Sequence, residues 1–371
     1  MSEVLNAPAS PSRAGPKQRL SVVDCDIHPA FKSGADLYPF LSERWRKHWA
    51  TFGHHLRQGL SSTLAHPRMS PGVARADAWP PNGGPPGSDL AFMREHHLDA
   101  NGIEHGILMA LRPGGCDERN LEFGAALCAA TNDWQIEAWV KPEPRLHAAI
   151  TVPQEDSQAA VREIERCAGR PGFVQVNVAP RTDEPLGRRR YWPIYEAAAA
   201  AGLPIGLHIA GVPGHPSTGA GWPSFYFQEH HANAQCLQAV VTSLVLEGVL
   251  ERIPALKVVI IEAGFTWVPS LCWRLDKHWE RMRDEVPHVK RKPSEYVRER
   301  FWYTTQPIEE PERPEDLNAM IDWLGWDRLM FSTDYPHWDF DDPRYAFRAP
   351  LTEQQKAMIF RDNARALYGF A

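Results

Sequence analysis

From residue 20 onward, short runs of β-branched and apolar residues alternate with longer stretches whose apolar positions recur at helical spacing. Eight runs read as strands, at 21–27, 106–110, 146–150, 173–178, 205–209, 258–262, 301–304 and 329–332. Several are unbroken apolar runs, as expected of strands buried on both faces. Helical patterns fall between and after them, at 90–101, 120–139, 156–168, 193–201, 233–247, 268–283, 314–323 and 353–367. Asp156 and Pro193 suit helix starts, and Gly169 and Gly202 sit just past helix ends. This rhythm, repeated eight times, predicts an α/β fold with a parallel sheet closed into a (β/α)8 TIM barrel.

Two segments exceed the bare repeat, giving the barrel insertions after strands 1 and 5: 29–89 and 210–232. Both follow the C-terminal end of a strand, the side on which barrels place their active sites, and both are rich in Gly, Pro and aromatic residues. They read as lids, 29–89 being a lid-like insertion in one barrel domain over 19–371. The alternative for 69–87 is a flexible linker between two domains. Residues 1–18 read as a flexible tail.

The 40 Lys+Arg against 46 Asp+Glu leave a net charge of −6 with no long basic run, so no nucleic-acid partner is expected. The tail lacks the apolar run of a signal peptide, and no stretch of about 18 apolar residues occurs. A cytoplasmic protein without a membrane partner is the expectation. Its six cysteines, with no C-x-x-C pair, read as ordinary thiols in a reducing compartment.

Candidate chemistry clusters at strand ends. The first strand closes on Asp24-Cys25-Asp26-Ile27-His28, where Asp26 and His28, two apart, share a face and can offer a carboxylate oxygen and an imidazole nitrogen to one metal ion. Taken alone, the pair reads more readily as a turn cap and a packed ring. The fifth strand ends in Gly206-Leu207-His208 and the eighth in Ser332-Thr333-Asp334. A buried carboxylate without a cation is costly, so Asp334 needs a metal or a hydrogen-bonding histidine. Four such residues at the ends of strands 1, 5 and 8 favour a metal site. His230 and His231, in the second insertion, are further candidates for reaching a substrate, and His231 is taken with Asp334 and Glu262 as the catalytic set. The Arg188–Arg190 run reads as a solvated face, and most of the 14 Trp as core.

The D-x-H, the G-L-H-I-A-G after strand 5 and the F-S-T-D-Y-P-H after strand 8 resemble the amidohydrolase superfamily, in the amidohydrolase-related branch that includes aminocarboxymuconate semialdehyde decarboxylase. The resemblance covers residue 20 to the C-terminus. It implies one divalent ion held by Asp26, His28, His208 and Asp334, with a water completing the shell. Binuclear relatives hold a bridging lysine at the end of strand 4, where this chain reads Phe173-Val174-Gln175-Val176-Asn177-Val178, so a single ion is expected. Decarboxylases of the branch carry a His on strand 6, where this chain has Glu262, and that departure favours another reaction.

The reading is therefore a mononuclear metal-dependent hydrolase, using metal-activated water on a small aromatic or cyclic carbonyl substrate. Asp334 would be ligand and general base, and Glu262 would hold the substrate or assist proton transfer. The alternative role for Glu262 is a salt bridge to an arginine such as Arg274. The alternatives for the chain are a non-oxidative decarboxylase of an aromatic or unsaturated acid on the same metal site, and a non-catalytic barrel. Zinc is the expected ion, with manganese next. The expected partners are a small-molecule substrate and a second copy of the chain, in a homodimer.

Overall fold

The computed structural model describes residues 21–54, 73–111, 114–209, 216 and 218–371; the tail at 1–18, residues 69–72 of the linker reading and 210–215 of the second insertion lie outside them. Eight strands, β1 (Val22–Ile27), β2 (Ile103–Leu108), β3 (Leu146–Thr151), β4 (Phe173–Val178), β5 (Ile205–His208), β6 (Val258–Ile261), β7 (Phe301–Thr304) and β8 (Leu329–Met330), pair in parallel in chain order. The barrel closes where the Cys25 N–H donates to the Phe331 carbonyl at 3.0 Å and the Asp334 N–H to the Asp26 carbonyl at 3.1 Å. The fold is a (β/α)8 barrel.

The helices are α1 (Glu43–Phe52), α2 (Leu90–Met93), α3 (Leu121–Trp134), α4 (Ser157–Ala168), α5 (Trp192–Ala200) and α6 (Tyr226–Leu246). They continue with α7 (Val249–Arg252), α8 (Trp267–Met282), α9 (Pro293–Arg300), α10 (Pro314–Leu324), α11 (Glu353–Ala357) and α12 (Asn363–Tyr368). Helices α2, α3 and α11 run on into π-helical turns, Arg94–Asp99, Gln135–Val140 and Met358–Asp362. Asp89, Asn120 and Asp156 cap α2, α3 and α4, each side chain accepting a backbone N–H of the first turn. Among the described residues no helix is long and apolar enough to cross a membrane. Cys25, Cys128, Cys167, Cys236 and Cys272 are thiols outside any disulfide. Trp273, expected in the core, is 52% exposed instead and meets Trp323 edge-on.

Two apolar layers hold the barrel. The outer layer joins strands to helices, through residues such as Ile27, Leu108, Ile150 and Leu207. The inner layer fills the lower barrel with Val23, Cys25, Ile107, Met109, Ala149, Val259, Ile261 and Met330, and Ala364 and Leu367 on α12 pack against it. Inward and outward residues thus alternate along each strand. β1 departs from this, with Cys25 inside and Ile27 outside. Its pairing with β2 shifts register between Asp24 and Ile27, and this irregularity turns Asp26 and His28, rather than Ile27, inward.

The insertion after β1 is tied down at its described end. The Trp338 N–H donates to the Val73 carbonyl at 2.8 Å and the Arg75 N–H to the Pro336 carbonyl at 3.0 Å, while Ala30 N–H bonds the Gly87 carbonyl at 2.8 Å. Gly87 has a φ of +78°, and a Cβ there would lie 2.4 Å from the His28 carbonyl oxygen. Only glycine permits this approach of the insertion to the backbone of His28.

Candidate metal centre

Asp26 and His28 from β1, His208 from the end of β5 and Asp334 just past β8 meet at the top of the barrel. His28 Nε2 lies 3.0 Å from Asp26 Oδ1 and 2.8 Å from Asp334 Oδ1, and His208 Nε2 lies 3.6 Å from Asp26 Oδ2. All four residues are buried. Glu262, one residue past β6, places Oε2 3.1 Å from His208 Nε2, so its partner is an imidazole and not Arg274. Ligand atoms of Asp26, His28, His208 and Glu262 lie within 4.8 Å of one another, as do those of His28, Asp334 and His337.

The donor set fits a divalent cation. Both oxygens of Asp26, Nε2 of His28 and both ring nitrogens of His208 are buried without a hydrogen-bond partner. Buried polar atoms are seldom left so, and here they face one another at ion-pair distance without the alignment of hydrogen bonds. His28 Nδ1 lies 2.9 Å from the Met109 carbonyl, which can only accept, so Nδ1 carries the hydrogen and Nε2 turns its lone pair to the site. Mixed oxygen and nitrogen donors of this kind suit zinc and manganese.

Charge in the cluster runs the same way. Burial works to lower the His208 imidazole, yet the carboxylates of Asp26 and Glu262 outweigh it and raise it to about 9. Burial likewise opposes protonation of His28, and Asp26 and Asp334 overcome it. Asp26 falls below the usual carboxylate range because His28 and His208 outweigh its own burial. Burial, then the Asp334 charge, pushes Glu262 up to about 7. The carboxylates thus favour positive charge at His28 and His208, while burial and then the neighbouring His28 hold the His337 imidazole down at about 4.

Backbone strain sits on two of these residues. Glu262 and Asp334 have φ of +56° and +61°, the left-handed region that costs a non-glycine residue about 1–2 kcal/mol. Both occupy the first turn beyond a strand end, and such outliers concentrate where side chains are aimed at chemistry.

A buried staple supports the centre from behind. Asp24 accepts from the Thr333 N–H at 2.9 Å, the Thr333 hydroxyl at 2.5 Å, the Asp26 N–H at 3.2 Å and His97 Nε2 at 2.9 Å. The His97 ring stacks on Tyr335 at 4.3 Å. Asp24 thereby joins β1 to the β8 loop, between two of the converging side chains. Asp24→Ala would strand three or four buried donors and is expected to cost about 3 kcal/mol or more. Chemical denaturation checks this; a variant as stable as the parent would show that the seam holds without Asp24.

Around the centre, the second insertion departs from expectation. Helix α6 begins at Tyr226, not Asn233, so His230 and His231 are consecutive helical residues about 100° apart around the axis and cannot both face the barrel. His230 does: its Nε2 lies 3.1 Å from Asp339 Oδ2 and 4.0 Å from Glu262 Oε1. His231, the expected catalytic residue, is exposed. Asp339, Gln306 and His337 were not among the expected site residues. His337 Nδ1 lies 2.6 Å from Asp334 Oδ1, its ring is stacked on His28, and Gln306 Nε2 donates to Asp334 Oδ2 at 3.3 Å. His337 and Asp339 stand three and five residues past Asp334, a proximity visible in the sequence; nothing local to Gln306 marks it.

The amidohydrolase family model matches residues 23–370. The chain belongs to the amidohydrolase family. Gamma-resorcylate decarboxylase of a Polaromonas species is 28% identical over 301 residues, covering 76% of this chain and 87% of that one. Among solved structures, 5-carboxyvanillate decarboxylase from Sphingomonas paucimobilis has a TM-score of 0.68 at 23% identity, covering 95% of this chain and 100% of that one. A dihydroxybenzoic acid decarboxylase from Polaromonas, with bound manganese and the inhibitor 2-nitroresorcinol, has a TM-score of 0.64 at 23% identity, covering 94% and 97%. At these identities the two structures speak for the fold of this amidohydrolase.

Proposed function

We propose that this chain is a metal-dependent, non-oxidative decarboxylase of an aromatic carboxylic acid. The observation that carries the reading is the set of buried, unpartnered polar atoms on Asp26, His28 and His208, converging with the buried Asp334 carboxylate, in a chain 28% identical to a gamma-resorcylate decarboxylase. The hydrolytic reading placed first on the sequence gives way to its alternative, because four relatives 26–28% identical to this chain are named gamma-resorcylate decarboxylases.

Asp26, His28, His208 and Asp334 would hold one divalent ion, which when bound supplies positive charge for the substrate's carboxylate and a neighbouring oxygen. Manganese moves ahead of zinc, since a Polaromonas decarboxylase similar to this chain binds it. Glu262 is the acid. It delivers a proton to the ring carbon that bears the carboxylate; the bond to the carboxyl carbon then breaks, its electron pair restores the aromatic ring, and CO2 leaves. His230, between Glu262 and Asp339 and 21% exposed, returns a proton to Glu262 from solvent.

The test is incubation of metal-loaded protein with 2,6-dihydroxybenzoate and related hydroxybenzoates, alongside aryl esters and lactones. CO2 release from an acid is expected. Ester or lactone hydrolysis with no CO2 from any acid would return the hydrolase.

We also propose a homodimer. Trp222, Phe225 and Phe227, just ahead of α6 and at its start, are 63%, 74% and 81% exposed, an aromatic patch of the kind that subunit contacts cover. Light scattering is expected to give twice the 41.9 kDa of one chain; a single-chain mass across a wide concentration range overturns it.

A further inference from the structure

The strand-4 segment in which binuclear relatives carry a lysine holds two inward positions, Gln175 and Asn177. Gln175 belongs to the lower barrel: its Nε2 approaches Met109 Sδ at 3.8 Å and its Oε1 accepts from the Tyr368 hydroxyl at 2.9 Å. Asn177, two residues on, faces the same interior one layer higher, at the catalytic end. Its side-chain oxygen is buried without a hydrogen-bond partner.

The neighbouring strand carries a second orphan. Thr151, the Cα partner of Asn177 across β3 and β4, follows inward Ala149 and outward Ile150, so its side chain also points inward. It is 4% exposed, and its hydroxyl oxygen has no partner. Its backbone is fixed on both sides, since Asn132 Nδ2 donates to the Thr151 carbonyl at 2.9 Å and Asn132 Oδ1 accepts the Thr151 N–H at 2.8 Å. On the other flank Asn177 pairs with Gly206, two residues before His208 on the same inward face. A side chain at Gly206 would collide with the Gln175 amide, 2.3 Å from the position of its Cβ. Thr151, Asn177 and His208 therefore form one arc of wall around the centre.

These two groups complement each other. A threonine hydroxyl can donate and an amide oxygen can accept, so between them they satisfy a group that is at once acceptor and donor. A carboxylate accepts only, and an ether oxygen or a hydrogen donates nothing. We infer that Thr151 and Asn177 form the subsite that holds a ring hydroxyl of the substrate and so determine specificity for it. This rests on the decarboxylase reading for the acid itself, and the arc of wall supplies the hydroxyl. Groups held on a rigid wall, with no partner of their own, discriminate strongly against analogues that leave them unpaired.

The experiment is calorimetric binding, needing no turnover, of benzoate, the three monohydroxybenzoates and their methoxy counterparts to the manganese-loaded protein. The parent is expected to prefer at least one hydroxybenzoate over benzoate and over its methoxy counterpart by about 10-fold or more. Thr151→Val and Asn177→Leu, which keep side-chain shape, are expected to abolish that preference while benzoate binds as before, which also reports an intact fold. Thr151→Ser, keeping the hydroxyl, should retain it. A preference that survives in both shape-keeping variants, equal losses for benzoate and hydroxybenzoates, or no preference in the parent overturns the subsite. Preferential binding of a hydroxybenzoate by a parent that releases no CO2 from any of them refutes the decarboxylase and leaves the subsite standing.

Discussion

His208→Ala is expected to yield a protein that folds but purifies without metal and without turnover. His208 closes the centre on the β5 side, within 3.1 Å of Glu262 and 3.6 Å of Asp26, and both its nitrogens are buried. Its removal leaves Asp26 facing an empty corner. Affinity for the ion should fall by well over the 10- to 100-fold that loss of a mere outer hydrogen-bond partner costs. His28→Ala should behave alike, since Nε2 of His28 touches Asp26 and Asp334 together. Elemental analysis, melting temperature and CO2 release on the same samples check the result. An active, metal-loaded His208→Ala protein would show that the ion sits elsewhere.

The second large effect separates the two strained carboxylates. Asp334→Asn keeps the shape and suits a φ of +61°, because asparagine tolerates the left-handed region. It removes the charge that His28, His337 and Gln306 surround, and turnover is expected to fall by about 10²- to 10⁴-fold with part of the metal retained. Glu262→Gln should lower turnover by about 10²-fold with the metal fully retained, as befits an acid beside the ion. If instead Glu262→Gln loses metal while Asp334→Asn keeps it, the two exchange roles, and Glu262 joins Asp26, His28 and His208 as the fourth ligand. A Glu262→Gln protein with undiminished turnover removes Glu262 from the chemistry altogether.

The barrel was legible because buried parallel strands write themselves as apolar runs, and seven of the eight are displaced from their expected bounds by no more than two residues at either end; only β2 starts three residues early. That Asp26, His28, His208 and Asp334 converge was readable because each stands at or just past a strand's end. Their common face was read from two-residue periodicity, yet the irregularity in β1 reverses that periodicity one residue earlier, between Cys25 and Asp26. The choice of His231 over His230 fails for a different reason. Which of two adjacent histidines faces inward depends on where the helix starts, and α6 opens on Tyr226-Phe227, with no capping side chain to mark the place. Asp24 escaped notice because it points out of the barrel, and its worth lies in Thr333, 309 positions along the chain.

That separation bears on how the molecule comes to be assembled. Asp26 leaves the ribosome early and Asp334 late, and the seam that unites them closes only when β8 reaches β1. Contacts so distant along the chain form slowly, since a long loop must be closed before they contribute anything. A nascent polypeptide lacking β8 presents three corners of the centre and no fourth. Ion capture during synthesis would then report that the barrel has closed, and a chain cut short before Leu329 would be recognisable by its failure to retain the ion.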